Sequence, residues 1–447
     1  MKEINISFQK KRQLLNYYEN LQYHLLPPEV IKLVKKCLLD ILGCGIAGSN
    51  TDSSNIVYDY VKESFPGTES SVWIDGNTLS TFGAAFVNGT MATDLDIDDG
   101  VRSAAGHPGG VIFPALLAEG ERLKVSPTVL IEAVIIAYDI GIRFGELIFQ
   151  NTVNRFFGAG TWAIIGAAAG LSRLYNFSGK DFLNALGIAE AYAPLAPVMK
   201  SIENGSNTKE AMGWAAATAI RAAALAKKGF LGVESMLIHK EESKGYSLND
   251  LGEKYKILDT YFKRYTSCRW SHPPIDAFLN LRQKNNINPQ KIEKIEVFTH
   301  KKAISLNNAE PINYIQAEYS IPFVLANIIL YKKMGAEQLS KKNIKNKKVV
   351  EMAKRIHLLY SQEREDCFPA FNTALLKIYL NDESVIISEP TQAKGGPADP
   401  FSYQEIVTKF LWLTNGIISS KRQEAILNNV KSFEKSNLTI RELLGLK

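Results

Sequence analysis

The chain has 447 residues, of which 46% are hydrophobic and 22% charged, a balance typical of globular proteins and not of disordered ones. This length exceeds what one ordinary hydrophobic core holds and therefore predicts two domains. The formal net charge of +6, from 52 basic and 46 acidic residues, is mild and spread along the chain, which argues against a nucleic-acid-binding protein and suits an anionic small molecule.

The N-terminal half predicts helices. Its first residues lack the apolar stretch of a signal peptide, and no uncharged run reaches the ~20 residues of a membrane helix, so we expect a cytoplasmic protein without membrane association. Pro27 and Pro28 form a favourable helix start, and apolar residues then recur at helical spacing as far as Leu42. The same period predicts helices over residues 111–123, 129–142, 162–175, 181–193 and 211–228.

The pattern becomes mixed near residue 261. Segments 291–300 and 374–380 contain β-type residues in partial alternation, and the sequence NDES before VIIS predicts a hairpin. Segments 321–333 and 349–359 predict helices between these strands.

After the Gly/Pro-rich loop 394–400 the helical period returns. We therefore predict a mostly α protein, in which a large all-helical domain is built from both chain ends and carries an inserted, smaller α+β lid domain. The predicted boundaries are residues 1–262 and 401–447 for the helical domain and 263–400 for the lid domain.

The densest group of polar side chains lies between Thr93 and Gly110. Four carboxylates fall within six positions and are followed by basic residues: Asp94, Asp96, Asp98, Asp99, Arg102 and His107. Like charges this close repel, so the fold keeps them either as a solvated helix end or for a purpose such as proton transfer by a carboxylate of tuned pKa. The segment lacks the further oxygen ligands and the final Glu that calcium binding of the EF-hand type requires.

Two further segments carry candidate site residues. In NGSNTKEAMGW, Thr208 and Lys209 precede an Ala-rich helix, and a helix N-terminus beside a lysine can hold a carboxylate. In SCRWSHPPIDA, Arg269 and His272 stand at the expected domain junction, where ligand clefts are common. An exposed lysine and a structural histidine are the alternative interpretations.

Several other classes of site lack support. The motifs GxxxxGK[ST], HExxH and GxSxG do not occur, which argues against P-loop nucleotide enzymes, zincins and serine hydrolases. The four cysteines, at positions 37, 44, 268 and 367, form no CxxC pair, so a zinc knuckle or a redox dithiol is not indicated. We predict no metal and no cofactor.

In their order and spacing, these segments resemble the MmgE/PrpD family. The resemblance covers nearly the whole chain and includes LDILGCGIAGS, GAAFVNGTMATDLDIDDG, HPGGVIFPALLAEGE, NTKEAMGWAAATAIRAAALA, SCRWSHPPIDA and GGPADPFSYQEIVTKF. Known members dehydrate 2-methylcitrate, decarboxylate cis-aconitate or epimerise iminodisuccinate. The resemblance implies a large helical domain with a smaller α+β lid, a homodimer, and catalysis without a metal.

Carried over position by position, the resemblance implies four catalytic residues: Asp96, His107, Lys209 and His272. We further expect five substrate-binding residues: Arg102, Thr208, Arg269, Gly100 and Phe157. Two of these positions depart from decarboxylase-like members, which carry Thr in place of Gly100 and His in place of Phe157. The second departure removes a polar group and weakens the case for cis-aconitate decarboxylation.

The family's reactions share the transfer of a proton at a carbon next to a carboxylate, whose developing charge cationic side chains can stabilise. We therefore predict a lyase, of dehydratase or decarboxylase type, that acts on a small di- or tricarboxylate such as a citrate- or aconitate-like acid. The alternatives are an isomerase that epimerises a substituted succinate and a catalytically impaired polycarboxylate-binding protein.

Overall fold

The computed structural model describes residues 4–151, 157–435 and 437–446, with side chains from residue 7 onward. Helices make up 58% of the described residues and strands 9%, so the prediction of a mostly α fold is confirmed. The helices are α1 (Ile4–Asn20), α2 (Pro28–Gly48), α3 (Asp52–Ser64), α4 (Thr81–Thr93), α5 (Gly109–Leu123), α6 (Pro127–Asn151), α7 (Ala159–Leu174), α8 (Gly179–Ala191), α9 (Val198–Glu203), α10 (Met212–Lys227), α11 (His272–Lys284), α12 (Lys301–Ile304), α13 (Tyr314–Glu318), α14 (Ile321–Tyr331), α15 (Lys341–Ile344), α16 (Lys347–Lys354), α17 (Gln362–Cys367), α18 (Tyr403–Thr414), α19 (Ser420–Lys431) and α20 (Ile440–Leu443). The strands are β1 (Ser70–Ser71), β2 (Thr78–Leu79), β3 (Gly100–Val101), β4 (Thr260–Tyr261), β5 (Ile292–Thr299), β6 (Ile356–Tyr360), β7 (Thr373–Leu380), β8 (Val385–Ile387) and β9 (Thr391–Gln392).

The larger of two hydrophobic cores consists of the helices from both chain ends. Small residues let these helices approach closely: a Cβ atom on Gly141 of α6 would lie 3.1 Å from the α-carbon of Gly166 in α7. From the C-terminal part, α18 packs against α2 and α20 against α5. This contact between distant parts of the chain agrees with a helical layer built from both ends, whereas the domain boundaries stay a prediction.

The smaller core surrounds a sheet with the strand order β6-β5-β7-β8, to which β9 adds by pairing with β7. The pair β5 and β6 is parallel, and the other pairs are antiparallel. The hairpin expected at NDES is present, because β7 and β8 pair on either side of it. Helices α11 and α14 pack against this sheet or against its connections.

One predicted element differs from the structure. The sequence analysis predicts a continuous helix over residues 349–359, but α16 ends at Lys354 and residues Ile356–Tyr360 form β6. The segment IHLLY alternates buried and exposed positions beside β5, so pairing with the sheet overrides its helical spacing.

The sequence GCGIAG, with Gly43, Gly45 and Gly48, has the spacing of a dinucleotide-binding loop. In the structure it forms the buried end of α2, with no preceding strand. The glycines instead make room for neighbours such as Trp73 against Gly45 and the Met91 carbonyl against Gly48. A dinucleotide site at this segment is therefore excluded. Among the described residues, none of the helices combines the length and apolarity that crossing a bilayer requires.

Candidate active site

The acidic segment lies between the two hydrophobic cores. Helix α4 ends at Thr93, and the chain then crosses to β3, which pairs with β4. Leu95 and Ile97 point into the smaller core. The four carboxylates of the segment alternate with or follow these apolar residues and are at most 2% exposed: Asp94, Asp96, Asp98 and Asp99. The segment is thus a buried charged loop and not a solvated helix end.

His107 lies at the centre of this cluster. Its Nδ1 atom is 2.6 Å from the backbone carbonyl oxygen of Asp99, and because a carbonyl only accepts, Nδ1 carries a proton. In the neutral ring, Nε2 is therefore the atom that can accept a proton. Nε2 lies 3.6 Å from Oδ1 of Asp96 and 3.8 Å from Oε1 of Glu210. Both carboxyl groups therefore face the ring atom that would take up a proton.

Lys263 is the counter-charge of Asp96. Its Nζ atom is fully buried and donates to both Oδ1 and the backbone carbonyl of Asp96, each at 2.6 Å. Burial alone would raise the pKa of the Asp96 carboxyl, but Lys263, His107 and Lys209 outweigh it and lower that pKa. Asp96 is therefore an anion beside Nε2 of His107.

The environment of Lys209 differs from the expected helix start. Helix α10 begins at Met212, and Lys209 lies before it in a left-handed backbone conformation (φ 41°). Its Nζ atom contacts the carbonyls of Thr93 (2.8 Å) and Asp94 (3.2 Å) and Oε1 of Glu318 (2.7 Å). Burial would lower the pKa of Lys209, but Glu318 and the nearby aspartates raise it overall, so the group stays charged.

Three buried lysines therefore hold the acidic segment by its backbone, and we call them the lysine clamp: Lys209, Lys263 and Lys409. The third comes from α18 near the end of the chain and donates to the carbonyl of Ile97 at 2.7 Å. Its Nζ atom also lies 2.5 Å from Oδ1 of Asp40 in α2. The clamp fixes the segment from the helical core, the domain junction and the C-terminal part at once.

A cavity that opens to solvent lies between the acidic segment and the sheet-containing part of the chain. Clefts of this kind are common small-molecule sites. Its polar lining consists of Arg102, His107, Glu210, Tyr261, Cys268, Arg269, Lys302, Tyr319 and Asn372. Its apolar lining includes Phe149, Val198, Met199, Ile202, Trp270, Leu306 and Phe368.

Among the predicted site residues, the structure brings His107, Arg102 and Arg269 to this cavity, with Asp96 directly behind His107. The guanidinium of Arg269 donates to the carbonyls of Ala393 and Lys394, each at 2.9 Å, so it also fixes the loop before α18. Burial lowers the pKa of Arg269 to about 10.

Five other predicted residues lie outside the cavity lining, and Gly100 is one of them. Lys209 and Thr208 line a neighbouring groove beside α10. His272 is 1% exposed, with Nε2 3.2 Å from the Ser267 carbonyl, and burial lowers its pKa well below the usual value. Phe157 pairs with Pro197 through a β-bridge at the edge of the described residues. The sequence alone could not distinguish these positions from cavity-facing ones.

Gly100 lies against an unexpected neighbour. It pairs with Tyr261 between β3 and β4, and a Cβ atom at Gly100 would overlap the ring and hydroxyl of that tyrosine. The Thr that decarboxylase-like members carry there therefore has no room, and the phenol of Tyr261 occupies that part of the cavity wall. Burial raises the pKa of Tyr261, so the phenol is neutral.

The sequence analysis missed several residues of the cluster, above all Glu210, Lys263 and Glu318. Glu210 follows Lys209 directly and accepts a hydrogen bond from the Ala159 amide at 2.6 Å. For Lys263 a signal exists, because a lysine directly after the aromatic pair Tyr261-Phe262 is unusual for a solvated surface. Glu318 has no comparable signal, since its partner Lys209 is far away in sequence.

The cluster also meets a geometric condition for metal binding. One ligand atom from each of Asp96, Asp98 and His107 lies within 4.8 Å of the others, a donor set that suits a divalent cation. Lys263 already contacts Asp96 there, and both Asp96 and Asp98 raise its pKa, so a metal would compete with a buried ammonium group.

Comparison with known proteins gives two family matches. The MmgE/PrpD N-terminal domain matches residues 12–249, and the MmgE/PrpD C-terminal domain matches residues 265–435. Human cis-aconitate decarboxylase is 26% identical over 436 residues, covering 92% of this chain and 88% of that protein. A cis-aconitate decarboxylase-like protein of Aspergillus oryzae is 22% identical over 97% of this chain and 96% of its own. The 2-methylcitrate dehydratase of Escherichia coli is 25% identical over 75% and 73% of the two chains.

Proposed function

This chain belongs to the MmgE/PrpD family, and from that premise we propose that it is a lyase acting on a small di- or tricarboxylate such as a citrate- or aconitate-like acid. The observation that carries the proposal is the state of His107. Its Nδ1 proton is committed to the Asp99 carbonyl, which leaves Nε2 as a proton acceptor at the cavity wall beside two carboxylates. This is the arrangement of a general base.

In a dehydration, Nε2 of His107 removes a proton from the carbon next to a substrate carboxylate. The electron pair of that C–H bond becomes the new double bond, and the hydroxyl on the adjacent carbon leaves as water after taking a proton. Tyr261 and Tyr319 line the cavity, and burial raises the pKa of both phenols, so each is protonated and able to donate that proton. In a decarboxylation, the carbon that loses CO2 takes up a proton instead.

The predicted catalytic residues divide by position. His107 is proposed to contact the substrate, whereas Asp96 and Lys209 act from behind it. Lys209 has its three donors directed at Thr93, Asp94 and Glu318, so we assign it the positioning of the acidic segment. The buried position of His272 favours support of the segment that carries Cys268 over direct proton transfer.

The test is turnover by the purified protein. Incubation with citrate, 2-methylcitrate and cis-aconitate should consume at least one acid, detected as a change in alkene absorbance or as released CO2. His107→Gln should reduce that rate by about 10²- to 10⁴-fold, the usual share of a general base. His24→Gln, at an exposed histidine, is the matched control and should leave the rate unchanged. Absence of turnover across such acids would contradict the proposal.

An isomerase that epimerises a substituted succinate is the second candidate. The observation that favours it is Cys268, a cavity-lining thiol from the junction segment whose pKa burial raises, in addition to His107 from the acidic segment. Epimerisation requires one group that removes a proton from one face of the substrate carbon and another that returns a proton to the opposite face. Two proton-carrying groups on different segments meet this requirement. Solvent deuterium entering the recovered acid, with no alkene formed, would identify this reaction.

The enzyme is further proposed to be a homodimer, to act in the cytoplasm and to need no metal. The Lys263 ammonium beside Asp96 supports the last point, because it provides a positive charge where a metal would bind. Light scattering gives the oligomeric state, and activity that survives a chelator but falls on adding divalent cations would agree with a metal-independent site.

A further inference from the structure

The cations near the cavity fall into two groups. In the first, each charge is neutralised inside the protein: Lys209 pairs with Glu318, Lys263 with Asp96, and Lys409 with Asp40. Arg269 makes no ion pair with the described residues, but backbone carbonyls of the loop before α18 and of Phe262 accept its hydrogen bonds. The polar contacts of these four groups are thus made largely within the protein.

Lys302 belongs to the second group. It lies in α12, directly after β5, and its Nζ atom stands 5.0 Å from the ring centre of Phe149 and 5.8 Å from that of Phe368. Partial burial lowers the pKa of its amino group, and Glu365 acts on it only from a distance. Within the described residues, no carboxylate lies close enough to Lys302 to form an ion pair.

Arg102 is the other cation of the second group. It directly follows β3, and its guanidinium donates one hydrogen bond, to the carbonyl of Ala370. The part of the chain that the structure describes offers it no carboxylate partner. Burial lowers the pKa of Arg102 as well. Both residues line the cavity, one from the helical part and the other from the sheet-containing part.

We propose that Lys302 and Arg102 together bind a substrate carboxylate that is remote from the reacting carbon. This inference rests on the proposed function, and it adds that the enzyme selects polycarboxylates over monocarboxylates through these two residues. A cation without an internal anion gains most from a charged ligand, because no other group of the protein already neutralises its charge. A second carboxylate of the ligand meets this condition.

The kinetic test compares variants at two neighbouring lysines. Lys302→Met should raise KM for the best tricarboxylate about tenfold, the effect of losing a hydrogen bond to a charged group, while kcat stays unchanged. Lys302→Arg should recover most of the affinity. Lys301→Met, at the exposed neighbouring position of α12, is the matched control and should behave as the wild type. An unchanged KM in Lys302→Met would overturn the proposal.

Binding of tricarballylate, which has three carboxylates and no hydroxyl to eliminate, separates this inference from the proposed reaction. Calorimetry should detect tricarballylate binding to the wild type, binding about tenfold weaker to Lys302→Met, and no such difference for butyrate. If no acid is turned over but this binding pattern is observed, the proposed reaction is contradicted and the proposed binding site is supported. If acids are turned over but tricarballylate binds both proteins equally, or does not bind, the site assignment fails.

Discussion

The phenol ring of Tyr261 lies directly against the α-carbon of Gly100, in the space that any larger residue at position 100 would need. Two short strands, β3 and β4, hold this pair in register. Tyr261 also lines the cavity. The position of its phenol in the cavity wall therefore depends on the absence of a side chain at Gly100.

Gly100→Ala should therefore lower stability and activity together. Overpacking of a buried site costs about 1–3 kcal/mol of unfolding free energy, and relief by movement of Tyr261 would displace the phenol from the cavity. Urea unfolding and kcat measure the two effects. A double variant that adds Tyr261→Ala should recover the stability but not the activity. Equal losses in the single and double variants would show that the ring does not cause the strain.

Asp99 makes stability depend on pH. Burial raises the pKa of its carboxyl from 3.8 to about 7, with Asp98 and Asp40 adding to the rise and the Tyr138 hydroxyl opposing it. Between these values the folded protein holds a proton that the unfolded chain releases. Unfolding free energy should therefore fall as the pH rises through this window, by at most about 1.4 kcal/mol per pH unit for this group.

Asp99→Asn removes this contribution, since an amide does not titrate. The unfolding free energy of the variant, measured in urea between about pH 4 and pH 7, should depend less on pH than that of the wild type. Buried carboxyls that do not interact with Asp99 act equally in both proteins and cancel in the difference. Parallel curves would mean that Asp99 is ionised throughout this range.

Lys209 is expected to be important for stability. An exposed lysine at a helix end would change the unfolding free energy by within about 0.5 kcal/mol when replaced. Here Lys209→Met leaves Glu318 buried without its cation, which typically costs about 3–5 kcal/mol. Thermal or urea unfolding should show this loss, and Lys209→Met with Glu318→Gln should recover much of it. Lys200→Met, exposed on α9, is the control and should have little effect.

Variants of Lys409 are expected to show that its effect on stability and its effect on catalysis have different causes. Lys409→Met leaves Asp40 unpaired and also removes the contact to the Ile97 carbonyl. The double variant with Asp40→Asn should recover stability, whereas kcat should stay about 10- to 100-fold reduced because the acidic segment is still released. The exposed Lys421 gives the matched control, Lys421→Met. A double variant with full kcat would show that the Ile97 contact does not position the site.

Much of the fold could be predicted from periodicity. Helices such as α5, α7 and α8 agree with their predicted segments within a few residues, because apolar spacing and packing of small residues favour the same structure. The family resemblance is confirmed by matches over residues 12–249 and 265–435. The helix predicted to continue after α16 was wrong, because pairing with β5, which is distant in sequence, determines the conformation of that segment.

Fewer residues of the candidate site could be predicted from the sequence. Asp96 and His107 could be identified because they stand in one short, unusual segment, and the structure brings them within 3.6 Å of each other. Lys263 and Glu318 were missed because a buried charge is recognised by its partner, and their partners lie in other parts of the chain. The direction of a side chain, as for His272, follows from packing that no local pattern contains.

The lysine clamp also has a consequence for how the molecule is made. Ile97 leaves the ribosome 312 residues before Lys409 does, and Asp40 leaves it earlier still. Until Lys409 has emerged, Asp40 lacks its ion-pair partner, and the loop below the cavity has only two of its three anchors. A nascent or prematurely terminated chain can therefore form its early helices without acquiring a competent site. Catalytic activity would then require that translation has passed Lys409.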